Sequence, residues 1–193
     1  MLLSLLWGGA FFLIELGLRG FPPNTLVLLR LTIAVPPMLL VLWFMKLRLP
    51  KDGRSWRQLF VLGGINAALP FILFFWGQTQ IDSGLASILN ATTPLWGVVT
   101  GHFLTRNEKA TPARIWGVLL GMAGIIVMVG PEALGGITRS VFAQLACLVA
   151  TLSYAFAAVY GRTLSQSTMS PMVVATGQVI TAAILMLPIA MLI

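Results

Sequence analysis

Apolar residues fill seven long segments of this chain, at about 2–18, 25–45, 59–77, 84–104, 114–130, 140–161 and 172–193. Polar and charged residues gather mainly in the short stretches between them. Most segments approach the roughly 20 residues that a helix needs to cross a bilayer. Lipid offers the backbone no hydrogen bonds, so each crossing must be a helix or a strand of a closed barrel. Barrel strands alternate apolar and polar positions, and stretches such as Gly117–Gly130 do not. The pattern predicts an all-α integral membrane protein, a polytopic bundle with about seven transmembrane helices.

Composition supports that class. Hydrophobic residues make up 58% of the chain, charged residues only 9%, and the mean hydropathy is +0.95. A soluble domain usually carries about 25% charged residues to cover its water-facing surface. The net charge of +7 comes from 12 Lys+Arg against 5 Asp+Glu. These charges sit in short loops, with no basic patch on a polar background, so they read as topology signal and headgroup contact rather than a nucleic-acid surface. Met1–Leu18 has no basic n-region and does not read as a cleavable signal. The lone Cys147 lies in an apolar segment and can form neither a disulfide nor a metal cluster within the chain.

The loops predict orientation. Lys46, Arg48, Lys51, Arg54, Arg57, Arg106, Lys109, Arg114 and Arg162 fall on one side, and Arg19 and Arg139 on the other. The positive-inside rule then places the N-terminus in the cytoplasm. The last segment runs apolar to Ile193 with no aromatic or charged anchor after it, so the intact protein is expected to continue. Leu145–Pro188 weakly echoes the start of the chain at a displacement of about 147 residues, setting Leu6-Trp7-Gly8 opposite Ser153-Tyr154-Ala155. If the echo is real the unit has five helices, and an odd number inverts the second copy in the membrane, as in many secondary transporters.

Several motifs in order resemble one family: Leu6-Trp7-Gly8-Gly9 in the first segment, Pro23 and Arg30 in the second, and Asn90-Ala91-Thr92-Thr93-Pro94 in the fourth. The most specific is Glu108-Lys109-Ala110-Thr111-Pro112 leading to Gly117-Val118-Leu119-Leu120-Gly121 and Gly124. The chain resembles the drug/metabolite transporter superfamily, in particular its EamA-type ten-helix permeases. The resemblance implies two inverted five-helix halves around a central cavity, in a bacterial cytoplasmic (inner) membrane. Residues 1–135 would form the first five-helix repeat and residues 136–193 the first two helices of an incomplete second one. Its members move amino acids, other metabolites or drugs.

The polar residues inside apolar segments are the candidates for chemistry. In the fourth segment Ser83, Ser87, Asn90 and Pro94 recur along one helical face, with Thr93 beside it. Pro94 frees a backbone carbonyl one turn earlier, near Asn90. Asn66 and Pro70 lie one turn apart in the third segment, where the proline should kink the helix. Two readings fit these residues: cavity lining, or interhelical hydrogen bonding. Trp7 either lines the cavity or packs where helices cross. Three ionisable groups have a similar choice. Glu15 stands at i+4 from Arg19 and at a depth similar to Arg30, which fits either a structural ion pair or a part in coupling and gating. His102 is either a packing residue or a proton relay. Gly117, Gly121 and Gly124, like Gly97 and Gly101, are expected to pack against neighbouring helices.

The expected function is a secondary transporter of a small organic solute, working by alternating access. Its partners are that substrate and the lipid bilayer, and a homodimer is compatible with the reading. No cofactor is expected, and no G-x-x-x-x-G-K-[ST] loop is present to bind ATP. An intramembrane enzyme fits poorly, since neither H-E-x-x-H nor G-x-S-x-G occurs. A non-transporting membrane subunit or assembly factor is the remaining alternative.

Overall fold

The computed structural model describes residues 2–105, 111–129, 141–165 and 169–191, with the side chains of residues 2–8 and of several α6 positions outside that description. The described residues form helices α1 (Leu2–Leu18), α2 (Pro23–Phe44), α3 (Gly53–Gly77), α4 (Ser83–Asn90), α5 (Thr93–Leu104), α6 (Pro112–Val129), α7 (Val141–Ser165) and α8 (Pro171–Ala190). No strand occurs among them. Four helices have the length and apolar character to cross a membrane: α2, α3, α7 up to Leu164, and α8. The protein is a polytopic helical membrane protein.

Local chemistry sets the helix ends. α2 and α8 each begin with proline, whose fixed φ suits a first turn and whose missing N–H would be unpaired there anyway. The end of α2 is a double hydrogen-bonded cap: Lys46 N–H donates to Trp43 O and Leu47 N–H to Leu42 O, at 3.0 Å each. Lys46 takes the left-handed φ of 55° that this cap demands. α3 starts at Asp52, whose carboxylate accepts the Ser55 N–H at 2.7 Å. That hydrogen bond holds the Asp52 carboxyl below its ordinary pKa.

Two segments that read as uniform α-helix in the sequence depart from it. The fourth segment splits at Ala91–Thr92 into α4 and α5, with Pro94 in the first turn of α5. α3 stays continuous but widens to a π-helix over Gly64–Ala68, just before Pro70. There Leu69 N–H donates to Gly64 O, five residues back. Ile65 O thereby loses its α-helical donor, and its π-helical donor would be Pro70, which has no N–H. Ser153 on α7 fills the vacancy, its hydroxyl donating to Ile65 O at 2.6 Å.

α8 packs against α2 and α3, and α7 against α3, α4 and α5. The α3–α8 seam closes on small residues. A Cβ at Gly63 would collide with Thr181 Oγ1 and lie 2.6 Å from Gln178 O. One at Gly177 would lie 2.6 Å from Leu59 Cδ1. Thr181 donates its hydroxyl across the seam to Leu59 O at 2.9 Å. The expected packing glycines differ. Among the described residues, a Cβ at Gly97, Gly117, Gly121 or Gly124 would meet nothing within 4 Å. Helical spacing identifies a small-residue face, but it carries no information about what stands opposite.

A candidate solute cavity

The interruptions of α3 and of the fourth segment open onto one cavity of about 710 Å³, well within the range of small-molecule sites. Its apolar wall comes from α1 (Phe11, Ile14) and α3 (Phe71, Phe74, Phe75). Phe11 meets Phe74 edge-on at 5.7 Å between centroids, and Phe74 stacks on Tyr154 of α7 at 6.2 Å. These geometries hold each ring against its neighbour. The polar wall carries Arg30 from α2, Asn66 from the π-turn, Asn90 and Thr93 from the α4–α5 break, and Gln178 from α8.

Each polar side chain is delivered by a local feature. Asn66 sits inside the π-turn, and its amide donates to Gln178 Oε1 at 2.9 Å. Gln178 is placed by the Gly63–Gly177–Thr181 seam, one turn along α3 from Asn66. The Asn90 carbonyl lacks its α-helical donor because Pro94 carries no N–H. Thr93 Oγ1 takes its place, donating at 2.7 Å. Thr92 repeats the device with Leu89 O at 2.7 Å and also reaches Thr151 of α7 at 3.2 Å.

Arg30 has no salt-bridge partner among the described residues. Its guanidinium lies 4.6 Å from the Phe71 ring centroid and 5.9 Å from that of Phe75. Such contacts contribute from about 0.5 to 2 kcal/mol, depending on desolvation. That offsets part of the cost of a cation inside a membrane helix.

Of the residues singled out in the sequence, Arg30, Asn66, Asn90, Thr93 and Pro94 share this lining. Ser87 does not, and its hydroxyl donates to Gly84 O in its own helix. Glu15 pairs with Arg19 at 3.9 Å on α1 rather than with Arg30. His102 stands near the end of α5, edge-on to Phe103 at 5.1 Å and away from the cavity. The Trp7 side chain, Arg106, Lys109 and Arg139 lie outside the described residues. Sequence reading passed over Tyr154 and Gln178. Both carried a signal: Gln178 is an amide within an apolar segment, and Tyr154 falls opposite Trp7 in the internal echo.

Comparison with known proteins bears on what this cavity serves. The chain is 27% identical over 159 residues to the uncharacterized transporter YoaV of Bacillus subtilis, covering 82% of this chain and 54% of that protein. It is 30% identical to the protein PagO of Salmonella typhimurium over 65% of this chain and 41% of PagO. It is 28% identical to a probable terminal-alkyne amino-acid exporter of Streptantibioticus cattleyicolor over 78% of this chain and 50% of the exporter. The chain thus spans about half the length of the curated relatives it matches. A solved crystal structure aligns with a TM-score of 0.65 at 22% identity, over 98% of this chain and 67% of the other, which supports the fold. The sequence profile of the EamA-like transporter family matches residues 1–130, and the chain belongs to that family.

Proposed function

We propose that this chain is the solute-binding portion of a secondary transporter that moves a small organic metabolite by alternating access. The observation that carries the reading is the convergence of Asn66, Asn90 and Gln178 on one aromatic-walled cavity. An amide in lipid without a partner costs several kcal/mol, so such groups belong where a solute, water or protein can satisfy them. Both Asn66 and Asn90 stand at helix interruptions, and irregular backbone at membrane depth is tolerated where it lines a cavity. The family and the transporter names of its relatives point the same way. In this reading residues 1–135 are one five-helix unit and residues 136–193 begin an inverted second one. The N-terminus faces the cytoplasm of a bacterial inner membrane. The amino-acid exporter among the relatives makes amino acids the first solutes to try.

The test is flux. Proteoliposomes carrying the protein should take up labelled amino acids in counterflow, and Asn90→Ala should cut the rate at least about tenfold, the equivalent of one lost charge-assisted or buried hydrogen bond. Flux that is absent across the panel, or indifferent to Asn90→Ala, would overturn the proposal. Cysteine labelling supplies the orientation. A cysteine at Lys51 should react from the cytoplasm and one at Thr79 from outside, and the reverse result refutes the assigned topology.

A further inference from the structure

The cavity wall carries a positive charge that no carboxylate among the described residues neutralises. Arg30 is the ionised group in the lining, which otherwise offers amides, a hydroxyl, a phenol and hydrocarbon. The carboxylates among the described residues are engaged or sited elsewhere. Glu15 is with Arg19, Asp52 caps α3, and Asp82 lies exposed at the start of α4. Phe71 and Phe75 both lie close to the guanidinium, with Phe71 nearest. Aromatic contact leaves the guanidinium charge in place, and a guanidinium can hold a carboxylate through two N–H groups at once.

The rest of the lining fits the remainder of such a ligand. Phe11 and Phe74 form an apolar wall for a hydrocarbon or aromatic body. The bond between Asn66 and Gln178 leaves the Asn66 carbonyl oxygen and the Gln178 amide hydrogens for a neutral polar substituent. Resting on the transporter reading for its biological role, we infer that the cavity selects an amphipathic carboxylate, with the carboxylate on Arg30 and the apolar body on the phenylalanine wall.

Three near-isosteric probes test this on the purified protein in detergent: 3-phenylpropionate, its uncharged amide, and 3-phenylpropylammonium. Calorimetry at low ionic strength should rank the carboxylate at least about tenfold tighter than the amide, as expected for a hydrogen bond to a charged group. The ammonium should bind weakest. Arg30→Gln should close the gap between carboxylate and amide to within about twofold. Arg30→Lys should keep part of the preference, because the charge stays and the fork is lost. The inference is overturned if the amide equals the carboxylate, if the ammonium binds tightest, if none of the three binds, or if the preference survives Arg30→Gln. Should Arg30→Gln fail to fold, the wild-type ranking decides alone. The two readings fail separately: absent flux with an intact ranking sinks transport, whereas flux of solutes without the ranking sinks the carboxylate site.

Discussion

The π-turn of α3 and the break between α4 and α5 solve one problem in two ways. Each lies beside a proline that withholds an N–H, and each brings an asparagine to the cavity. At the π-turn the orphaned Ile65 carbonyl is satisfied from another helix, by Ser153 of α7. At the break the orphaned Asn90 carbonyl is satisfied within four residues, by Thr93. A bond between helices fixes the interruption in the bundle, whereas a bond within the turn travels with it. The π-turn is thus the anchored wall of the cavity, its freed carbonyl tied directly to another helix; at the break the freed carbonyls are held locally, and the tie to α7 there, Thr92 to Thr151, runs between side chains.

Anchoring depends first on the seam that holds α3 to α8. The largest expected effect is therefore at Gly63, where a side chain meets backbone as well as the Thr181 hydroxyl. Gly63→Leu should cost about 3 kcal/mol or more, the upper end of overpacking, read from unfolding in mixed micelles. A near-neutral result would mean that α3 and α8 can separate freely, and the anchored side would lose its basis. Ser153→Ala comes next, at about 1–2 kcal/mol, because it strands the Ile65 carbonyl. A double-mutant cycle sharpens this point. Pro70→Ala restores an N–H that can reach Ile65 O, so the Ser153→Ala cost should shrink in that background. Strict additivity would show that Pro70 does not create the vacancy that Ser153 fills.

Sequence reading reached the bundle, the polar residues and the prolines, and stopped at what the prolines do. Pro70 predicts a disturbance of α3 but not its form: the helix widens by one residue just before it, and a serine from a distant helix takes the freed carbonyl. Pro94 was placed on one continuous face with Ser87, yet the chain breaks at Ala91–Thr92 and Ser87 turns to its own helix. Both differences depend on contacts between segments, which periodicity within a segment does not contain. Arg30 follows the same rule. Its expected neighbour by depth is Glu15, but Phe71 and Phe75 lie against its guanidinium. Gly63 and Gly177 close helix contacts and are each followed at i+4 by a small residue, Ala67 and Thr181, whereas the longer spaced series on α6 stands open among the described residues, so spacing alone does not tell a packed face from an open one.

On the other side of the comparison, Thr93→Val removes the local donor while keeping the shape. Asn90 and Thr93 both line the cavity, where water can replace the hydroxyl, so the cost should be near the 0.6 kcal/mol or so typical of hydrogen bonds in membrane helices. A loss as large as that of Ser153→Ala would erase the distinction between the two interruptions.

The smallest effect separates the N-terminal ends of the same two segments. Asp52 caps α3 through the Ser55 N–H, whereas Asp82, at the equivalent position before α4, makes no side-chain cap bond. The Asp52 pKa is lowered in the folded state by that bond. Its contribution is therefore fully present above the unfolded value and disappears as pH falls through the lower folded one. Asp52→Ala should speed hydrogen exchange at the Ser55 amide at neutral pH, and the gap from wild type should close in acid below the ordinary aspartate value of 3.8. Asp82→Ala should leave hydrogen exchange in the first turn of α4 unchanged, since its side chain makes no cap bond there. Equal loss of protection at both helix starts would mean that α3 owes nothing special to its first turn, and the π-turn and the α3–α8 seam would then carry its position alone.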